Sequence, residues 1–124
     1  MMQQRPLISV VDDDVSLRES LPDLLDMLGF AARPFASAEE FLASDVIADT
    51  RCLILDVSMP GMSGPELQSE LSRRGLRLPI IFVTGQCDQN LRATLLARGA
   101  VECLFKPFSE QALRSALDRA VGIP

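Results

Sequence analysis

The chain has 124 residues, 48% of them hydrophobic, with a formal net charge of −5 and a pI near 4.6. That is enough apolar material for one packed domain and too much for a disordered chain. The acidic balance argues against a nucleic-acid surface built on phosphate neutralisation, and no apolar run approaches the ~20 residues of a membrane span.

The N-terminal stretch MMQQRPLISVVDDD reaches three aspartates too early for a secretory signal. The expectation is one soluble, cytoplasmic domain over residues 1–124. Leu7 to Val11 is short, β-branched and apolar, which predicts a buried strand ending on Asp12, Asp13 and Asp14. Ser16 with Glu19 matches a capping box, and Leu17, Leu21, Leu24, Leu25 and Leu28 recur at helical spacing before Gly29. Pro22 falls near the second turn, so the helix is expected to continue with a kink there. Phe30 to Phe35 predicts a weak strand, and Pro34 places it at a sheet edge. Ser37 with Glu40 opens a short helix through Phe41 and Leu42.

Arg51 to Val57 predicts the next strand, an apolar run that stops on Asp56 before the turn-rich SMPGMSG. Ser63 or Gly64 caps a helix with Pro65 in its first turn, and Gly75 ends it. Pro79 to Thr84 is a fourth strand. Leu91, Leu95 and Leu96 mark a helix stopping near Gly99. Val101 to Phe105 is a fifth strand ending at Lys106–Pro107, and Ser109 caps a last helix through Leu113, Leu117 and Val121.

Five alternating strands and helices with apolar strands imply an α/β fold: a doubly wound, flavodoxin-like (βα)5 three-layer sandwich. Its parallel sheet has the order 2-1-3-4-5 and right-handed crossovers. In that order ligands sit at the carboxyl ends near strands 1 and 3.

Two absences narrow the chemistry. There is no His, hence no imidazole base and no phosphohistidine on this chain. There is one Lys, Lys106, among eleven Arg, and the two cations are not interchangeable where a compact ammonium is needed. Cys52, Cys87 and Cys103 are too few and too widely spaced for a zinc pattern. They read as reduced thiols, two in or beside strands and Cys87 exposed in a loop.

The strand ends carry the informative set: Asp12 to Asp14 on the first, Asp56 on the third, Thr84 on the fourth, Lys106 on the fifth. Singly, an Asp there caps a helix and a Lys is a surface charge. Together on one rim they suit phosphoryl transfer. Clustered carboxylates invite Mg²⁺, which takes oxygen ligands and retains waters. Asp13 and Asp56 supply two oxygens, the Ser58 backbone carbonyl a third, and Asp12 holds a second-sphere position. A carboxylate needs no deprotonation at neutral pH to act as nucleophile. The Lys106 ammonium and the Thr84 hydroxyl then meet the remaining phosphoryl oxygens.

VDDD at 11–14, LDVSMPGMSG at 55–64, VTG at 83–85 and KPF at 106–108 resemble the signature of receiver domains of two-component response regulators. The likeness runs from Leu7 to about Val121. SMPGMSGPEL and VTG are most similar to receivers of the FixJ type, which usually precede a helix-turn-helix output domain. The resemblance implies Asp56 as phosphoacceptor, Asp12 and Asp13 as the acidic pocket, Lys106 on the phosphoryl group, Thr84 as the switch hydroxyl and a cis Lys106–Pro107 bond. The implied donor is a phosphohistidine on a partner histidine kinase or phosphotransfer protein. The implied output is a change at the face of the fourth helix, fifth strand and fifth helix, the first two of these also being a candidate homodimer face.

The chain departs from the family pattern at Cys103, where a switch aromatic is usual, and it has no Tyr. Phe105 and Phe108 are the candidate substitutes. Ser58 and Gln86 occupy positions that modulate autodephosphorylation in such proteins. The alternative readings are a phosphorylation-independent interaction module and a Mg²⁺-dependent phosphatase. The second is disfavoured, because aspartyl-phosphate phosphatases typically carry another Asp where this chain has Ser58.

Overall fold

The computed structural model describes residues 5–86 and 88–122. The reading of Cys87 as an exposed thiol therefore lies outside the described residues. The elements, in chain order, are β1 (Leu7–Val11), α1 (Val15–Met27), β2 (Ala31–Phe35), α2 (Ala38–Leu42), β3 (Thr50–Asp56), α3 (Gly64–Arg73), β4 (Ile80–Thr84), α4 (Gln89–Ala97), β5 (Glu102–Phe105) and α5 (Glu110–Val121). All strand pairs are parallel, and the order is β2-β1-β3-β4-β5. β2, with Pro34, lies at one edge, where a missing N–H leaves no ladder partner unsatisfied.

Alternation along the inner strands sorts the core into two layers. Leu53, Leu55 and Phe82 join Phe41 of α2, Leu67 and Leu71 of α3 and Leu95 of α4. Cys52, Ile54, Ile81 and Val83 join Leu21 and Leu25 of α1 and Leu113 and Leu117 of α5. The uninterrupted apolar runs of β3 and β4 are thus explained: both sheet faces are covered. Each of these fully buried side chains contributes about 1.5–3 kcal/mol of transfer free energy.

Two local details differ from the expectation. Asp14, not Ser16, is the N-cap of α1, its side chain accepting the Ser16 N–H at 2.9 Å. Ser37 caps α2 through the Glu40 N–H, but Glu40 bonds back to the Ala36 N–H rather than to its own cap. The complete capping box is at α3, where Ser63 and Glu66 bond reciprocally. As the leucine spacing predicts, α1 continues through Pro22; tertiary packing of Leu21 and Leu25 outweighs a defect costing about 3 kcal/mol in an isolated helix.

Candidate functional site at the carboxyl rim of the sheet

Strand register brings the polar ends together. Val11 of β1 pairs with Leu55 of β3, so the next residues, Asp12 and Asp56, stand side by side. Asp56 pairs with Val83 and Thr84 with Phe105, which sets Thr84 and Lys106 on the adjoining strand ends.

The three consecutive aspartates have three different jobs. Asp12 is fully buried. It accepts the Asp14 N–H at 2.8 Å and the Lys106 ammonium at 3.0 Å. Its carbonyl is held by Arg18 Nη1 from α1 at 2.9 Å. Asp13 is exposed and turns a carboxylate oxygen into the site, so that Asp12, Asp13 and Asp56 each place one oxygen within 4.8 Å of the others. Asp14 is spent on the helix cap. The adjacency of the three carboxylates was legible in the sequence; the roles of Asp14 as cap and Arg18 as carbonyl partner were not, and only the DDD–x–S spacing hinted at the first.

Asp56 is 6% exposed and short of donors. The Ser58 N–H reaches its Oδ1 only at 3.4 Å, and Lys106 lies 4.0 Å from its Oδ2. Burial first, then the negative charge of Asp12, push its carboxyl up to about 7; Lys106 opposes this in part, and hydrogen bonding with Asp12 and Asp13 adds to the rise. Lys106 is shifted the other way from what its burial alone would give. Desolvation pulls it down, but the Asp12 bond and the charges of Asp12, Asp56 and Asp14 outweigh that and raise it, so it remains an ammonium.

A hard divalent cation fits this donor set. Three converging carboxylates supply oxygen ligands of the kind Mg²⁺ takes, and a positive charge among them would remove the repulsion that lifts Asp56.

The floor of the site is tight. An added Cβ at Gly64 would stand 2.3 Å from the Asp56 carbonyl oxygen and 3.1 Å from the Phe82 ring. Gly64 is therefore required for α3 to start against the end of β3, a role its place after Ser63 did not reveal. Thr84 is buried, and its hydroxyl accepts the Gln86 N–H at 3.2 Å; its carbonyl accepts the Lys106 N–H at 2.7 Å. Lys106–Pro107 is cis, as expected.

A family model described as the response regulator receiver domain matches residues 8–118. The chain belongs to this family. It is 42% identical over 113 residues to nodulation protein W of Bradyrhizobium diazoefficiens, covering 91% of this chain and 50% of that one. To the transcriptional regulatory protein FixJ of Azorhizobium caulinodans it is 40% identical over 115 residues, covering 93% and 54%. Among solved structures, FixJ-N superposes with a TM-score of 0.85 at 35% identity over 98% of each chain. The response regulator StyR superposes with a TM-score of 0.88 at 41% identity, over 96% of this chain and 60% of that one. The chain spans about half the length of the curated relatives it matches. It is a receiver domain of flavodoxin-like fold, a signalling unit of the two-component type, and no helix among the described residues is long and apolar enough to cross a membrane.

On the far side of this receiver, β5 ties α4 and α5 together through one side chain. Glu102 accepts Arg92 of α4 at 2.6 Å, Arg119 of α5 at 3.2 Å and the Cys103 N–H at 2.9 Å. Burial alone would raise its carboxyl, but these donors prevail and hold it below the usual range. Cys103, at the position where an aromatic was expected, is 3% exposed in the layer with Leu95 and Phe82. Phe108 packs instead against the opposite layer, and Phe105 is half-buried at the end of β5. Burial raises the Cys103 thiol, and burial pushes Cys52 up to about 12; both are inert thiols rather than nucleophiles.

Proposed function

We propose that residues 1–124 act as a single phosphoacceptor receiver domain in which Asp56 takes a phosphoryl group from a phosphohistidine of a partner histidine kinase or phosphotransfer protein. The observation that carries this reading is the convergence of Asp12, Asp13, Asp56 and Lys106 on one rim. Asp13, Asp56 and the Ser58 carbonyl would hold Mg²⁺, with Asp12 oriented behind them by Lys106 and the Asp14 N–H. When bound, the cation supplies positive charge that favours the Asp56 anion and offsets charge on the phosphoryl oxygens.

The chain's own groups do the rest. The Asp56 carboxylate attacks phosphorus as the bond to the donor imidazole breaks. Lys106, already beside both Asp12 and Asp56, meets a second phosphoryl oxygen. The Thr84 hydroxyl, held at the end of β4, donates to a third and is drawn toward it. The Thr84 carbonyl is bonded to the Lys106 N–H, so movement there passes directly to β5, and from Glu102 to α4 and α5. That face is the surface we assign to the output: a homodimer through α4 and β5, or a partner domain controlling transcription, as in the relatives named transcriptional regulators. The domain works in the cytoplasm, where such donors act, and makes no contact with nucleic acid itself, consistent with its net charge of −5.

The test is phosphorylation by a small acyl phosphate with Mg²⁺, read as intact mass. One phosphoryl group is expected on the wild-type chain and none on Asp56→Asn; undiminished labelling of the variant would assign the acceptor elsewhere. Sedimentation with and without a phosphoryl mimic tests the face: the mass should rise, and an unchanged mass would remove the homodimer.

A further inference from the structure

Residues 57–63 form the loop that leaves Asp56 and enters α3. Its base is clasped, because the Gly64 N–H donates to the Val57 carbonyl at 3.0 Å and the Ser63–Glu66 box closes the start of α3. Its tip is held from a different element. Glu39, in the first turn of α2, accepts the Met62 N–H through Oε2 at 3.1 Å. The same oxygen lies 2.8 Å from where a Cβ on Gly61 would stand, and Gly61 has φ +74°. The backbone conformation demands a glycine there, and its missing side chain leaves the space the Glu39 carboxylate fills. Glu39 itself stands on a fixed base: Ser37 caps the helix beneath it, and Phe41 is fully buried. Its neighbour Glu40 is engaged by the Ala36 N–H and is not available to take over.

We propose that Glu39 is a positioning residue for the cation site. By accepting the Met62 N–H it sets the path of the loop, and with it the Ser58 carbonyl that joins Asp13 and Asp56. The inference rests on the reading of the site given under Proposed function. Its physical basis is that Mg²⁺ demands near-octahedral geometry at short distance. A ligand offered by a loop is only as good as the contacts that fix the loop, and hydrogen bonds behind the ligands tune affinity. This contact gives the short helix a stake in the chemistry.

The experiment is a Mg²⁺ titration of the whole chain, wild type beside Glu39→Ala, Glu39→Gln and Glu39→Met. The chain has no Trp or Tyr, so binding is read from the amide shifts of Asp13, Asp56 and Val57. Hydrogen exchange at Met62 is measured separately without metal. Removing the acceptor in Glu39→Ala and Glu39→Met is expected to raise the Mg²⁺ midpoint roughly tenfold, the low end for outer-sphere partners, and to expose the Met62 amide to exchange. Glu39→Gln, which keeps an acceptor oxygen, should restore both toward wild type. Midpoints unchanged in Glu39→Ala and Glu39→Met would overturn the inference while leaving the cation site intact. A Gln variant as impaired as Ala would overturn the hydrogen-bond assignment. A wild-type chain with no response at Asp13, Asp56 and Val57 would instead overturn the reading of the site, and the inference with it.

Discussion

Asp56 and Glu102 are both carboxylates withdrawn from solvent at the sheet, one on the acidic rim and one on the α4–β5–α5 side, and they are shifted in opposite directions. Asp56 is pushed up to about 7, chiefly by burial and by the charge of Asp12. Glu102 is held below the usual range although burial alone would raise it, because two guanidiniums and a backbone N–H converge on it. The two differ in depth, Asp56 being buried and Glu102 half-buried, but the sign of the shift follows the donors. A carboxylate whose donors are all supplied by the protein is a structural tie. One left facing two other carboxylates, with its nearest ammonium at 4.0 Å and bonded to Asp12 instead, keeps a charge repulsion that a cation would relieve.

The largest expected effect comes from removing the unsatisfied charge. The Asp56 carboxyl is raised from 3.8 to about 7 in the folded chain. Its contribution to stability is therefore full below the unfolded value near 3.8 and is lost as pH rises through about 7. At ~1.36 kcal/mol per pKa unit the loss reaches about 4 kcal/mol. In metal-free buffer at pH 8, Asp56→Asn should thus be more stable than wild type by a few kcal/mol, and the gap should close toward pH 4 or on adding Mg²⁺ to the wild type. Denaturant melts at the two pH values decide it; a variant less stable than wild type at pH 8 would break the comparison.

Gly64→Ala tests whether the packing behind Asp56 sets its burial. The new Cβ would meet the Asp56 carbonyl at 2.3 Å, and forcing backbone apart in a packed core costs about 1–3 kcal/mol. A lower Tm is expected, together with a fall in the Asp56 titration midpoint as the strand end loosens. An unchanged Tm would show that α3 has room to move away.

Glu102→Gln applies the same acid-to-amide change with the opposite sign. It weakens charged bonds to Arg92 and Arg119, whose heads are partly solvated, so the loss at pH 7 should be modest, about 1 kcal/mol after screening. Because the Glu102 carboxyl is lowered in the folded chain, that stability is present above its unfolded value near 4.5 and disappears as pH falls through the folded one. The variant and wild type should therefore melt alike in acid. A stabilised Glu102→Gln at pH 7 would erase the distinction between the two carboxylates.

What was legible in the sequence is what period and punctuation carry. Apolar runs stopped by Asp12, Asp56, Thr84 and Lys106 give the strands and, with parallel register, the rim. What was not legible depends on contacts between residues far apart in the chain. Glu39 and Met62 are 23 positions apart, and nothing near either announces the other. Arg92, Glu102 and Arg119 meet only after α4 and α5 have packed on β5. Ser16 with Glu19 has the spacing of a capping box, yet Asp14 starts α1, since the pattern does not say which of two nearby polar residues turns the chain. Cys103 stood out as a missing aromatic; the structure fills its place with apolar packing from Leu95 and Phe82 and puts an ion pair beside it.

The most direct measurement of the central claim is the titration of the Asp56 side-chain carboxyl by carbon NMR, in the absence and presence of Mg²⁺. The expected result is a midpoint near 7 without metal, falling well below neutrality when Mg²⁺ is added. A metal-free midpoint near the ordinary 3.8, or one that Mg²⁺ leaves in place, would contradict the account of Asp56 as a carboxylate short of donors and completed by a cation.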